Sequence, residues 1–290
     1  MARRRPPTVH GFVVIDKPAG MTSHDAVNIL RKKLGEKRIG HAGTLDPDAT
    51  GVLLVGVGNG TRLLKFLSEQ DKVYSCEIVF GVETDSLDST GVVTARHEMN
   101  AIDVDEARNA IAQSFIGNIT QIPPMVSALK VDGKRLHELA REGIEVDRAP
   151  RNIVVHSFDV TPTDDPMVLH ARIHCGSGTY VRSLGADLGA ALGGGAHIRS
   201  LRRHSIGQYS LDDASSLEEP KLLPMSEMLR AMATQVLNAE EIDDVLYGRP
   251  RSAWEGDGPW AIFSTDGDLV AVYERWKDEL AKPSVVFGAR

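Results

Sequence analysis

The apolar residues fall into short runs, and the spacing within each run predicts its element. GFVVID (11–16) reads as a strand and KPAG as the turn after it. Thr22 or Ser23 is placed to cap a helix running to about Leu34, which Gly35 ends. The polar loop GTLDPDATG leads into VLLVGVG, a buried strand. GNGTRLLKFLSEQ predicts a turn and then a helix with apolar positions at 63, 64 and 67. KVYSCEIVF alternates as a half-buried strand should, and the chain then frays into the polar loop DSLDSTG. Val104, Ala107, Ile111 and Phe115 share one helical face. QIPPMVSALKVDGKRLHELAREGI predicts a Pro-Pro turn, a strand-like VSALKV, a DGK turn and a helix over about Arg135 to Glu142.

Beyond this, NIVVHSFDV and VLHARIHC predict two strands, and TYVRSLGADLG opens a helix. SLEEPKLLPMSEMLRAMA reads as a helix separating two regions. From about Asp243 the pattern changes to short strands, with a DG hairpin signal in GPWAIFSTDGDLVAVYERW and a closing strand PSVVF. Strands and helices interleave without regular βαβ period, which predicts an α+β fold rather than a doubly wound one. The expected organisation is a large domain over 1–230 and a small β-rich one over 231–290.

Composition changes this picture little. At 290 residues, 42% hydrophobic and 25% charged, the chain is long enough for one large and one small globular domain. No apolar run approaches the roughly 20 residues that span a bilayer, and the basic N-terminus leads into no signal-peptide core. Two cysteines, Cys76 and Cys175, make neither a disulfide framework nor a CxxC metal pair. A cytoplasmic setting with no membrane partner is the expectation.

Charge matters more once it is divided. The net charge is −7, but residues 211–290 hold 16 Asp+Glu against 8 Lys+Arg, a net of −8. The first 210 residues are therefore at +1 and carry all 10 histidines. A basic face for nucleic acid remains open there. Its candidate clusters are Arg3–Arg5, Arg31–Lys33 with Lys37 and Arg38, and Arg199 with Arg202, Arg203 and His204. Each, alone, also reads as solvated surface.

Two stretches carry candidate chemistry. GHAGTLDPDATG packs Asp46 and Asp48 around a proline, among glycines that free the backbone. Alone it reads as an Asx-type turn. Set between two strands, it can equally hold one carboxylate up for reaction. CGSGTYVRSLGADLG places Arg182 just inside a helix, where the helix dipole prefers anions. Such an arginine needs an acid partner or a ligand phosphate. Other signals are weaker. VGVGNG lacks the G-x-G-x-x-G spacing of a dinucleotide site. His170 and His174 share a strand face but lack an evident third ligand, so no metal is expected. Tyr74 alone is a strand aromatic, and Cys175 a buried thiol.

Six segments in order resemble the TruB family of tRNA pseudouridine synthases. They are GFVVIDKPAGMTSHDAV, RIGHAGTLDPDATGVLLVGVGNGTRL, KVYSCEIVFGVETDSLDSTG, PPMVSALKVDGKRLHELAREGIEVDRAPR, CGSGTYVRSLGADLG and GAHIRSLRRHSIGQY, spanning about residues 10 to 210. The fourth looks like a tRNA-binding insertion, about 122–151, of the bacterial stand-alone form rather than the guide-RNA-directed subunit. The resemblance implies a pseudouridine synthase core, with a mixed or antiparallel sheet and flanking helices, followed by a PUA-like β-rich domain. It implies isomerisation of a uridine in the tRNA T-loop, with neither cofactor nor metal, by a monomer acting on the T-arm without an obligate protein partner. Asp46 would be the essential carboxylate, as nucleophile or as base in forming a glycal. Arg182 would pair with Asp46, keep it ionised and orient it, and Tyr74 would stack on the target base and accept a proton. His41 would assist base flipping. Lys17, Arg62, Asp88, Lys130, Tyr180 and Leu201 fall at pocket, support or RNA-contact positions of the family pattern. Asp48 would be a structural neighbour, since nothing sets the two carboxylates across a sugar as a glycosidase needs. A non-catalytic tRNA-folding protein on the same scaffold is the alternative.

Overall fold

The computed structural model describes residues 6–127, 129–131, 134–136, 139, 142–144 and 146–288. The first half of the chain lays down β1 (Gly11–Lys17), β2 (Ile39–Ala42), β3 (Thr50–Val57), β4 (Lys72–Phe80), β5 (Val82–Thr84), β6 (Val93–Arg96) and β7 (Gly117–Gln121). Between them lie helices α1 (Ser23–Leu34), α2 (Leu64–Ser68) and α3 (Val104–Ser114). A small hairpin follows, β8 (Lys130–Val131) and β9 (Lys134–Arg135), then the long strands β10 (Arg151–Pro162) and β11 (Val168–Cys175). Helix α4 (Val181–Ala191), β12 (Ala196–Ile206) and β13 (Tyr209–Ser210) complete the larger part. The last region holds β14 (Ala233–Leu237), α5 (Ala239–Leu246), β15 (Arg251–Ser252), β16 (Trp260–Ser264), β17 (Leu269–Arg275) and β18 (Leu280–Val286).

The fold is α+β, as the interleaved pattern predicts. A nine-stranded sheet runs β1-β3-β12-β4-β11-β10-β7, with β2 on β3 and β13 on β12. Its described ladders are antiparallel except where β12 meets β3 at Arg202↔Thr50 and Arg203↔Gly51. β12 is thus wedged between two strands far from it in sequence. Helices α3 and α4 cover one part of the sheet over a core that includes Ile78, Ala107, Ile111, Ile173, Leu184 and Ile198. α1 covers another part through Ala26, Val27 and Leu30.

Local signals explain most boundaries. Thr22 and Asp25 form a reciprocal capping box, and Gly35 ends α1 at φ 63, a left-handed conformation that glycine adopts without penalty. Asp103 caps α3.

Three expectations change. SLEEPKLLPMSEMLRAMA is not a helix. It is irregular, bridges back to β1 at Phe12↔Leu223 just as Ser215 before it does at Ile15, and makes only a short 3₁₀ turn at Met225–Leu229. Two prolines, Pro220 and Pro224, break its helical period. The polar loop after β4 holds a ladder, β5 with β6. The start of the C-terminal region contains α5, capped by Asn238 and Glu241. Of the helix expected over about Arg135 to Glu142, residues 137, 138, 140 and 141 lie outside the described residues.

The C-terminal sheet, β14-β16-β17-β18-β15, has its own core around Trp260, Ile262, Ala271 and Tyr273. It is also stitched to the larger part. Ala261, Val272, Val285 and Phe287 share a cluster with Phe12, Val14, Leu54 and Leu63.

Candidate functional site

The DPD turn is held from below by residues of the first forty. Ser23 Oγ donates to the Leu45 carbonyl at 3.0 Å and accepts from the Leu45 amide at 2.9 Å. Gly20 N donates to the Pro47 carbonyl at 3.1 Å. Lys17, fully buried, donates from Nζ to the carbonyls of Pro18, Met21 and Pro47 at 2.8, 2.7 and 2.9 Å. Burial pushes its pKa down to about 8, against the pull of Asp48 and Asp46. The KPAG turn, the start of α1 and the DPD turn are therefore one hydrogen-bonded unit. Lys17 supports the turn from underneath and does not line the cleft.

That unit presents Asp46 to Arg182. Arg182 Nε lies 3.0 Å from Asp46 Oδ2, and Nη2 donates to Oδ1 at 3.2 Å, a fork-to-fork pair. The guanidinium side chain is only 4% exposed and also donates to the carbonyls of Ser86 at 2.6 Å and Val126 at 2.7 Å. It sits in the first turn of α4, where the dipole disfavours a cation, and the Asp46 carboxylate offsets that. Asp88 stands near the same guanidinium, its Oδ2 3.8 Å from Nε. Its Oδ1 is occupied by Ser86 Oγ and by the amide and hydroxyl of Thr90.

Asp46 faces a cleft of about 310 Å³. Its side chain remains 38% exposed, yet surrounding walls strip enough solvation to push its pKa upward. Arg182 opposes that rise, while Asp88 adds to it. Across the cleft stands Tyr74, buried in the β4 ladder. Burial pushes its phenol upward as well, and Arg203, 6.0 Å from the ring centroid, pulls the other way. Tyr180 and Leu201 line the same cleft. Tyr180 is fixed by Gln121, whose Oε1 accepts from its amide at 2.8 Å and whose Nε2 donates to its carbonyl at 3.1 Å. Leu201 reaches the cleft because the β12–β4 register shifts between Arg199 and Arg202. Ser200 takes φ 56 there, so two residues leave the ladder. A second cavity of about 290 Å³ lies on the other side of Asp46, with Asp48, Asp88, Arg182 and Leu201 in its walls.

The expected residues thus divide. Asp46, Tyr74, Arg182, Tyr180 and Leu201 meet at the cleft, with Asp88 and Lys17 just behind it. His41 sits on β2, paired with Val55, outside both cavity walls. Its Nδ1 is buried without a hydrogen-bond partner, and burial lowers its pKa. Arg62 lines neither cavity. It donates to the Val286 carbonyl at 2.7 Å and lies over the Phe287 ring, which makes it a contact to the C-terminal sheet rather than a cleft residue. Lys130 is described only by its backbone, in β8, and its side chain lies outside the described residues.

Sequence reasoning missed Arg203. Read as solvated surface, it is 1% exposed. Its Nε donates to the Val52 carbonyl at 2.8 Å and its Nη2 to the Gly43 carbonyl at 2.9 Å. It therefore ties the loop before Asp46 to the wall that carries Tyr74. Alternation along LRRHSI is the signal that separates it from Arg202, which turns to Asp16 at 3.1 and 2.8 Å. Lys72, also in the cleft wall, is a second omission; burial pushes its pKa down to about 8.

Known proteins are similar to this chain in sequence and in fold. Residues 31–181 match the family model of the TruB family pseudouridylate synthase N-terminal domain. Residues 182–246 match that of the tRNA pseudouridylate synthase B C-terminal domain. The chain is 42% identical over 289 residues to "tRNA pseudouridine synthase B" of Thermobifida fusca (strain YX), covering 96% of this chain and 98% of that one. The protein of the same name from Streptococcus sanguinis (strain SK36) is 39% identical over 293 residues, covering 96% and 100%. In fold the chain is similar to a solved Cbf5-Nop10-Gar1 complex (TM-score 0.71, 23% identity, 93% of this chain and 79% of that one). It is similar also to an H/ACA RNP bound to a substrate RNA containing 2′-deoxyuridine (TM-score 0.72, 21% identity, 97% and 86%).

Proposed function

The chain belongs to the TruB family of pseudouridine synthases, and from that premise we propose that it isomerises a uridine in the T-loop of tRNA, at conventional position 55. The observation that carries this reading is Asp46, held in a two-point grip by a buried arginine at the mouth of a cleft with room for one nucleoside. The relatives' printed name supports tRNA as the substrate.

In this reading the target uridine leaves its stack and enters the cleft. Asp46 acts on the sugar, as nucleophile or as base, and the bond to the base nitrogen breaks. The detached uracil turns against the Tyr74 ring, and a ring carbon joins the sugar. As that carbon joins, the Asp46–sugar bond breaks (in the glycal route Asp46 returns the proton it took), and the proton the carbon loses is taken by the Tyr74 hydroxyl as that hydroxyl gives its own to the freed nitrogen. Arg182 orients the carboxylate, and its charge favours the ionised form against the burial that raises its pKa. Tyr180 and Leu201 shape the cleft, His41 assists flipping from the neighbouring strand, and Lys130 belongs to an RNA-facing insertion over about 122–151. Residues 231–290 act as a PUA-like module making a limited tRNA contact, because their net charge suits phosphate poorly. The protein works as a monomer and without a guide RNA, and the relatives' printed name, that of a tRNA synthase, supports the second point.

The test is direct. Purified full-length protein is incubated alone with unmodified tRNA transcript and pseudouridine is mapped, beside Asp46→Asn. Product at the T-loop uridine from the wild type only is expected. No product from the wild type, or equal product from the variant, overturns the reading. A non-catalytic tRNA-folding protein would give no product while still binding the transcript.

A further inference from the structure

Outside the cleft, three side chains that can ligate metal meet on the outer face of the large sheet. His156 Nε2 lies 3.1 Å from Asp71 Oδ2, and His174 Nε2 lies 4.0 Å from the same oxygen. One ligand atom from each residue falls within 4.8 Å of the others. The two imidazole rings are 4.6 Å apart at 42°.

The fold builds this convergence. β4, β11 and β10 are consecutive in the sheet. The register pairs Val155 with Cys175 and Ser157 with His174, so His156 is the extra residue of a bulge beside His174, exposed on the side away from the core. The irregularity between Val155 and Ser157 then absorbs one extra residue, so that Phe158 can pair with Ile173 inside. His174 is opposite Val73, and Asp71 lies two residues before Val73, on the same face. Two strands, β10 and β11, and the residue just before β4 thus deliver one ligand each to one point at the sheet's end.

We propose that Asp71, His156 and His174 form a binding site for a borderline divalent transition metal, zinc foremost. Two imidazoles and a carboxylate are a donor set that zinc takes, with bonds of about 2.0–2.2 Å. Tetrahedral placement at those lengths puts ligand atoms about 3.4 Å apart. The observed spread needs only a small closing of the triangle. All three side chains are partly exposed, at 48%, 38% and 44%, so the ion has an entry path and water can take the fourth position. Neighbouring groups do not compete. Cys175 is fully buried on the core face, and His170 is about 13 Å along the strand from His174, next to Glu77 at 3.7 Å. The ion would tie the leading end of β4 to β10 and β11, beside the segment 176–180 that runs into the cleft wall. Its role is to brace that wall, and isomerisation does not pass through it.

Full-length protein freed of metal by chelator is titrated with Zn²⁺ against a chromophoric zinc indicator, beside the double variant His156→Ala/His174→Ala, Asp71→Asn and the control His170→Ala. The expected result is one saturable site in the wild type and in the His170 control, weakened at least about tenfold in the other two. The melting temperature of the wild type should rise by about 5 °C at a hundredfold excess over Kd, with no rise in the double variant. Far-ultraviolet circular dichroism checks that each variant is folded. No saturable site in the wild type, or equal affinity in the double variant, overturns the proposal.

Discussion

At the scale of single residues, Asp46 is governed by two opposing forces whose balance is measurable. Burial raises its pKa and Arg182 lowers it. If the ionised carboxylate acts, kcat/KM falls as pH falls through that pKa, so the acid limb of the wild type should sit above the ordinary aspartate value of 3.8. Arg182→Lys keeps a cation but loses the two-point grip. Its acid limb should move to still higher pH, and its rate at a pH below that limb should fall about tenfold for each pH unit of the move. An unmoved limb would show that Arg182 does not govern the titration. Tyr74→Phe keeps a ring to stack on but has no oxygen to take a proton. It should bind tRNA near normally and lose single-turnover product formation. Lys17→Met should destabilise the fold by about 1–3 kcal/mol in denaturant titration, because three carbonyls lose their donor. The pairing of Arg182 with an acid was legible in sequence, since a cation in a first helical turn asks for one. The burial of Arg203 was not. Alternation sets adjacent arginines on opposite faces, but only the ladder says which of those faces is buried.

At the scale of elements, the site depends on one close approach. Gly51, the second residue of β3, has φ 105, and a Cβ there would lie inside contact distance of the Arg203 backbone. Gly20 has a similar φ of 79 but open space around it. Gly51→Ala should therefore lower stability by about 3 kcal/mol or more, and Gly20→Ala by only the roughly 1–2 kcal/mol of left-handed strain. Equal midpoint shifts in denaturant would mean that strain alone, and not the β3–β12 approach, limits the position. β1, β3, β4, α1 and α3 were readable because alternation, helical period and caps all agree locally. The chain after Ser210 misled because its apolar spacing mimics a helix, while its prolines and a bridge to β1 favour irregular backbone. Leu201 could be assigned to the cleft only by resemblance. Its outward step comes from an irregularity between two strands over a hundred residues apart.

At the scale of the whole molecule, the C-terminal sheet is joined to the larger part by a shared apolar cluster, by Arg62 to Val286 and by Lys65 to Glu274 at 2.9 Å. Composition revealed the acidity of this region but not its docking, which needs contacts more than two hundred residues apart in sequence. Charge and position together make a last prediction. RNA affinity should follow the larger part. Arg199, beside Glu77, lines the second cavity together with Asp46. Lys277 and Lys282 are exposed cations of the C-terminal sheet, both near Trp276, among a surplus of acids. Each phosphate contact adds about 0.7–0.9 to the slope of log Kobs against log salt. Arg199→Gln should reduce that slope for full-length protein on tRNA by about one contact's worth, whereas Lys277→Gln/Lys282→Gln should leave it unchanged. Neither variant touches a buried group, so folding is preserved and the slopes are comparable. A reduced slope in the lysine pair with none in Arg199→Gln would move the phosphate footprint onto the acidic module, where local cations would have to outweigh the net charge around them.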